Sequence, residues 1–546
     1  MKNNTKYHMF KSLLFVLMAT FVLIACKKNE EENLEPARLF KAGEISISAG
    51  QSSAKLKWPV PILSAGKPLT YTVDFSTDQA FSTIAFTKVV DTAGATVTDE
   101  NLQPRTLYYA RVKANAFQDQ PESKYTISST FQITGLQLMK EVNEDKIKET
   151  EATINYIPTI GLSSLVLKPA NGNSITVPLT PTDAAGKEKV VTGLTPATSY
   201  SVEIFIGTRS VGFSSFTTLS VTNYTVMLNS GDNLAAQVSN AANGDVIGLN
   251  DGTYDLSVAT TLISGKKITI KGISGNQANV KINVKQFDFE GNGAGITFSR
   301  VSLDGLLGNS QYFLNLIGAP ATFADMVIEK SVVSNIAVSF IRTDRGNNGD
   351  YKMNNLTVHN SKIYAIGGIS SAYHIFHLNE LIFNNFSITK STIYDSGPGL
   401  ITANTLLAAP NIPIIKIAQS TLNGYGFGGT SRYALLDANT NPISFTLENS
   451  IVANTPKLAA TIATAAVRST GTGSSTIIRN NNFYKFTNAS TGGTELTFPA
   501  TATQSSVTKL DLPWTGNTTD FTLPEVSPLR TAGTSGRAIG DPRWTF

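Results

Sequence analysis

LTVHNSKI, residues 356–363, is one of seven segments that share a single pattern. The others are ITFSRVSL (296–303), MVIEKSVV (326–333), FSITKSTI (386–393), IKIAQSTL (415–422), FTLENSIV (445–452) and TIIRNNNF (476–483). Each alternates apolar and polar residues, passes two polar residues and a small one, and returns to an apolar residue two positions on. The sixth position falls on Val301, Ser331, Ser361, Ser391, Ser420, Ser450 and Asn481, in steps of 30, 30, 30, 29, 30 and 31. So regular a period marks a repeat architecture. The alternation makes each unit strand rather than helix. Leu356 and Val358 share one face, Ser361 bends the chain, and Ile363 points inward again. Ile296, Met326, Leu356, Phe386, Ile415 and Phe445 then form one inward column, and Leu303, Val333, Ile363, Ile393, Leu422 and Val452 another. No unit can bury its own apolar face, whereas stacking in register does so. The expectation is a parallel β-helix with one repeat per coil.

Upstream, residues 1–25 combine Lys2, Lys6 and Lys11 with an apolar run from Leu13 to Ala25 that is short for a membrane span. The run ends Leu-Ile-Ala before Cys26, the only cysteine in 546 residues, so no disulfide can form within the chain. Residues 1–25 hold three lysines and no acid, and an apolar run of this kind behind a basic start reads as an export segment that is removed. That leaves 41 Lys+Arg (44 less those three) against 40 Asp+Glu, a near-neutral mature chain. With no basic stripe and no recognised module, nucleic acid is not expected as a partner. Residues 26–41 read as a polar, acidic tether.

Residues 42–134 and 135–220 each read as a small antiparallel sandwich. AKLKW (54–58) and YTVDFST (71–77) alternate like half-buried strands. Leu102-Gln-Pro104-Arg-Thr106-Leu-Tyr108 and Leu194-Thr-Pro196-Ala-Thr198-Ser-Tyr200 repeat one motif 92 residues apart. The charged run Lys140–Glu151 is expected to form the joint and first strand edge between the two. From 221 the chain enters the β-helix region. There Asp232 is the expected N-cap of a short amphipathic helix carrying Leu234 and Val238, and Gly244 its stop. A Gly252-Thr253-Tyr254 turn follows. An open end would expose the core and unpaired strand edges, and the turn-rich C-terminus would close the far end.

These features carry a resemblance. The Leu-Ile-Ala-Cys junction resembles a bacterial lipobox. The acidic run after it resembles the export signal of Bacteroidota outer-membrane lipoproteins, and the two Leu-x-Pro-x-Thr-x-Tyr motifs resemble the tyrosine corner of fibronectin type III domains. The helix followed by Gly-Thr-Tyr resembles the opening of pectin-lyase-like right-handed β-helices, where such a helix plugs the first coil. The whole layout resembles Bacteroidota surface lipoproteins with fibronectin type III-like modules before such a β-helix. It implies an all-β fold, lipidation at Cys26, an outer-membrane location facing the exterior, and a polysaccharide partner. It also points to the outer-membrane glycan-import machinery as a second partner. Membrane contact would be through the lipid anchor. Fold-level resemblance leaves activity open.

Candidate chemistry lies on a third strand in each coil: FLNLI (313–317), FIRTD (340–344), IFHLN (375–379), LITAN (400–404), LLDAN (435–439) and AVRST (466–470). Alternation points pairs such as Ile341/Thr343 inward. It leaves an outward column of Asn315, Arg342, His377, Thr402, Asp437 and Arg468. Beside it stand Asp344, Asn379, Asn404 and Asn439 on one flank. On the other an apolar wall is expected from Phe313, Phe340, Ile375, Leu400 and Leu435. Amides, a guanidinium and an apolar wall suit a sugar-binding strip. The substrate-binding candidates are therefore Asn315, Arg342, Asp344, His377, Asn379, Asp437 and Arg468. Other readings stand beside this one: a structural asparagine ladder for Asn379, Asn404 and Asn439, and ion pairs for Asp437–Arg468 and Arg342–Asp344. Tyr364 and Tyr394, at matching positions, would stack either sugars or each other. His374 and His377 fall on different faces, so they and His359 do not read as a metal triad. Three functions remain: binding of an acidic, uronate-containing glycan, a uronate polysaccharide lyase, and a structural or adhesive protein. Under the lyase reading the resemblance implies Arg342 as base with His377 or Arg468 as helper, and calcium on the substrate carboxylate. No cofactor is otherwise expected. Asp344, Asp350 and Glu380 are the nearby oxygen donors for calcium.

Overall fold

The computed structural model describes residues 38–344, 351–368, 372–405, 411–427, 432–457 and 461–545. The chain divides into two compact units. One runs to Gln137 and includes Phe205–Gly212; the other comprises Leu138–Ile204 and Phe213 onward.

In the first unit, Ser46–Ala49, Ser53–Lys57 and Gly94–Thr98 form a three-stranded antiparallel sheet. Phe86–Val90, Tyr71–Ser76, Tyr109–Ala114 and Thr126–Ile127 form a four-stranded one. Their inward residues, among them Leu56, Trp58, Val73, Phe75, Val97 and Val112, make one core. The corner motif acts as its chemistry suggests: buried Tyr108 accepts a hydrogen bond from Gln103 N at 3.2 Å. Tyr200 repeats this in the second sandwich with Thr195 N at 2.9 Å. There the sheets are Ile175–Pro178, Leu162–Pro169, Ser199–Ile206 and Arg209–Thr217, and the pair Glu188–Thr192 with Glu151–Asn155. Both modules are sandwiches of the fibronectin type III kind.

The solenoid follows with three parallel sheets. The first runs from Val226–Leu228 to Thr503–Ser505, the second from Gly252–Leu256 to Asn482–Phe486, and the third from Thr261–Ser264 to Val467–Ser469. Both inward columns pair residue to residue across coils, as in Met326↔Leu356↔Phe386 and Val333↔Ile363↔Ile393. Every member is at most 2% exposed. The repeating serine has a specific task. The Oγ atoms of Ser331, Ser361, Ser391, Ser420 and Ser450 each accept from the backbone N–H one coil earlier, at 3.1–3.3 Å. Each also donates to the carbonyl two residues back, at 2.7–2.9 Å. Asn481 ends the ladder through Oδ1, 2.9 Å from Ser450 N. Parallel pairing is broken at a bend, and the hydroxyl supplies the acceptor that the bend removes. The residue before each serine makes the turn in the left-handed region: Lys330, Asn360, Lys390, Gln419 and Asn449 have φ of 46–50°.

That column of turn residues receives the charged run. Lys330 Nζ donates to Glu144 O at 2.8 Å, His359 Nε2 lies 2.7 Å from Glu144 Oε2, and Asn360 Nδ2 donates to Asp145 Oδ1 at 3.1 Å. Lys390 bridges Glu141 and Glu144 at 2.9 and 2.6 Å. Burial raises the Glu144 carboxyl, but the hydrogen bond from His359 and the charge of Lys390 outweigh it and hold the group well below the usual range. The run is thus more than a joint: these bonds fasten the second sandwich to three successive coils.

Three terminal features differ from expectation. The plug helix, Leu234–Asn240, does bury Leu234 and Val238, but its N-cap is Asn233, whose Oδ1 takes Ala236 N at 2.9 Å. Asp232 instead takes Asn229 N. The helix stops at Ala241, ahead of Gly244, and Lys266 Nζ donates to its last carbonyls, Val238, Ser239 and Ala241. Gly252-Thr253-Tyr254 begins a strand rather than a turn. The C-terminal segment does not close the end of the solenoid. It lies back along the second sheet, where Trp514, Phe521, Leu523, Leu529 and Ile539 cover Ile451 and Ala453. The end itself holds a 660 Å³ cavity lined in part by Phe483, Phe486, Leu496 and Phe498.

Candidate functional site

The third sheet is built from short strands, several only two residues long, such as Phe376–His377 and Ile401–Thr402. Its register places Asp288, Asn315, Arg342, His377, Thr402, Asp437 and Arg468 side by side in one column. Coils about 4.8 Å apart put Arg342 and Arg468 about 19 Å from each other. The column is not uniformly open. Asn315, His377, Thr402 and Asp437 are buried, whereas the side chains of Arg342 and Arg468 are 21% and 33% exposed.

Around Arg342 the groups converge. Its guanidinium carbon lies 5.0 Å from the Tyr312 ring centroid and 5.6 Å from that of Tyr373. Its Nε donates to Asp344 Oδ1 at 3.0 Å. Asp344 Oδ2 lies 2.9 Å from His377 Nε2, which therefore carries the proton, since a carboxylate only accepts. Tyr373 packs edge-on against His377 at 4.4 Å. Burial raises the Asp344 carboxyl, but the bonds from His377 and Arg342 prevail and the net shift is downward. Burial lowers Arg342, yet the Asp344 hydrogen bond and neighbouring charges leave it above the ordinary guanidinium value. Arg342 is thus a fixed cation, and both Asp344 oxygens are engaged.

A second group stands at the far end of the column. Asp437 accepts two bonds from Arg468, at 2.7 and 2.9 Å, and the guanidinium lies 4.6 Å from the Tyr433 centroid. Asn404 Nδ2 also reaches Asp437, at 3.3 Å. Asn379 Oδ1 accepts from Asn404 N at 2.8 Å and Thr402 Oγ1 at 3.3 Å. Asn439 N donates to Asp437 Oδ1. Asn379 and Asn404 link neighbouring coils, as a ladder would, whereas the Asn439 bond stays within its own strand, and Asp437–Arg468 and Arg342–Asp344 are ion pairs.

Two expectations for this face require correction. Phe313, Phe340, Ile375, Leu400 and Leu435 do not form an outer wall: all are fully buried. Phe340 stacks in the interior between Phe313 and Phe376, at 5.1 and 5.0 Å. Ile375, Leu400 and Leu435 sit at bends just before their strands and Phe313 and Phe340 lie inside theirs, and in each of these coils two consecutive apolar residues are buried. The aromatic surface comes instead from Tyr312, Tyr373 and Tyr433. They lie one or two positions ahead of the aligned pentads, and an aromatic at that offset was the available signal. His377, expected to point freely outward, is largely covered. Elsewhere, His374 is on the inner side, and its complete burial, with the charges of Arg432 and His377, lowers it to about 3. Tyr364 and Tyr394 stack on each other at 4.9 Å, and Tyr394 packs on Phe521. Cys26 and Asp350 lie outside the described residues.

Residues 252–396 match the family described as Domain of unknown function (DUF4957). No curated protein matches. Among solved structures, the chain is similar to the FN1–FN3 domains of chicken CNTN1 at 14% identity, covering 34% of this chain and 67% of that one, with a TM-score of 0.16.

Proposed function

We propose that the solenoid binds an acidic, uronate-containing polysaccharide across the outer surface of its third sheet. One observation supports this most: Arg342 stands partly exposed between two tyrosine rings, with its Nε held by Asp344. A guanidinium so oriented can offer paired N–H donors to a sugar carboxylate, and the rings offer faces to the sugar. Arg468 with Tyr433 repeats the combination farther along. In this reading Cys26 carries a lipid anchor, and the protein faces the cell exterior beside glycan-import machinery. Among the described residues, no helix is long and apolar enough to cross a membrane.

Binding is favoured over lyase chemistry by the state of the same groups. A base must lose its proton, and Arg342 is shifted the opposite way. Calcium needs several free oxygen ligands, and Asp344 gives both of its oxygens to Arg342 and His377. Of the oxygen donors named for calcium, Asp344 is thus already committed, which leaves Glu380 as the one described carboxylate with an oxygen to offer. The test passes the chain over immobilised polygalacturonate and over a neutral glucan while following unsaturated-product absorbance. Retention on the acidic polymer without product is expected. Product formation would replace the binding reading with the lyase, and passage through both columns would favour a structural role.

A further inference from the structure

We propose that the first sandwich meets a lipid surface through the loop Pro59–Ser64. This loop joins the strands Ser53–Lys57 and Tyr71–Ser76 and exposes three apolar side chains: Val60 at 37%, Ile62 at 91% and Leu63 at 68%. Single exposed apolar residues are ordinary, as Leu107 is in this sandwich, but a run of them at one loop tip forms a patch that marks a contact surface.

The position of the loop identifies the occupant. Tyr71 pairs with Ala114, so this loop and the one after Ala114 share an end of the sandwich. Lys67 Nζ to Gln120 Oε1, at 2.9 Å, ties them together. The chain also enters at this end: Leu39 N donates to Pro121 O and Gly43 N to Pro59 O, each at 3.0 Å. Phe40, in that entering segment, is 52% exposed. Only eleven residues separate Cys26 from Arg38. Fully extended, that tether spans about 40 Å. A lipid on Cys26 would therefore hold the apolar loop close to the bilayer. Arg38, Lys41, Lys57, Lys67 and Lys124 are exposed around it, against Glu44, Asp91, Asp119 and Glu122, of which Glu122 is paired with Lys113, which leaves cations to meet anionic headgroups. The loop is too short to span anything. It would seat Ile62 and Leu63 at the acyl boundary, with the lysines at headgroup level, and so add a second contact to one acyl anchor. The inference takes only the tether distance from the proposed acylation of Cys26.

The experiment bypasses cellular acylation. The chain from Cys26 onward is coupled through its single thiol to maleimide lipid in phosphatidylethanolamine–phosphatidylglycerol vesicles. With Ile62→Trp, emission is expected to shift to the blue and to lose intensity when the acyl chains are brominated. Adding Leu63→Asp should reverse both changes. Leu107→Trp, also exposed but at the opposite end of the same sandwich, should show neither. Emission from Ile62→Trp that is identical on and off vesicles overturns the proposal, as does equal quenching at the two positions. Neither result bears on whether cells acylate Cys26.

Discussion

Replacing Arg342 with lysine keeps the positive charge and removes the planar fork. Lysine can still pair with Asp344, but one ammonium cannot give a carboxylate two parallel N–H bonds. The lost hydrogen bond to a charged acceptor is worth about 1–3 kcal/mol. That weakens Kd for an acidic oligosaccharide about five- to 150-fold at 25 °C. Contacts with Tyr312 at 5.0 Å and Tyr373 at 5.6 Å contribute about 0.5–1 kcal/mol more where the guanidinium stacks. Folding should change little, because the Arg342–Asp344 pair is partly exposed on both sides and such pairs are worth under about 1 kcal/mol. The assay is calorimetric titration of wild type and Arg342→Lys with oligogalacturonate, with thermal melts of both. Kd unchanged to within about twofold would remove Arg342 from the binding surface. A fall in Tm that tracks the loss of binding would show that the residue acts through the fold.

Other expectations follow from the same geometry. Ser361→Ala leaves the buried Ser331 N–H without its acceptor and should cost about 1–3 kcal/mol in urea unfolding, whereas Ser361→Asn should recover part of it, as Asn481 does in its own rung. Ile363→Asp places an unpaired charge in a fully buried column and should destabilise by several kcal/mol; an unchanged melt would contradict the register. His374 is held neutral, with its folded value lowered to about 3 against an ordinary value of 6.5. Its contribution is complete above pH 6.5 and is lost as pH falls from there toward 3, with a limiting slope of about 1.4 kcal/mol per pH unit. His374→Gln should flatten that part of the stability profile, and an unaltered profile would refute the assignment.

The repeat architecture was readable because one residue in each coil recurs at nearly constant spacing, and a buried column tolerates no slip. The outward column was readable for the same reason: Ile341, Phe376, Ile401 and Leu436 anchor the third strands, so Arg342, His377, Thr402 and Asp437 align beside them. Alternation lost its meaning beside those anchors, where Phe340, inside the strand Ser339–Arg342, is buried next to Ile341. Composition marked residues 527–546 as turn-rich without saying where they pack. Trp544 shows why: its Nε1 donates to Thr392 Oγ1 at 2.7 Å, across 152 residues of sequence. Tyr373 and Tyr433 escaped because they belong to the variable loops, and Tyr312 because it opens its strand one position ahead of the aligned pentad. The exposure of His377 was misjudged because Tyr373, which packs against it, lies in one of those loops.

The C-terminal segment also bears on how such a chain can change over generations. Solenoids can lengthen or shorten by whole repeats, since each coil meets only its neighbours. Here Thr515 O accepts from Asn423 Nδ2, Gly540 N donates to Asn449 O, Asp541 meets both Thr421 and Thr392, and Arg543 reaches Asn360. One strap thus reads off consecutive coils like marks on a ruler, and the run Glu141–Ile147 reads off others along the turn column. A duplicated or deleted coil between Asn360 and Asn449 would put every later mark out of step. Recombination that is harmless in an unstrapped solenoid would here unseat Trp544 and Asp541 together, so the number of coils in this stretch is under structural lock.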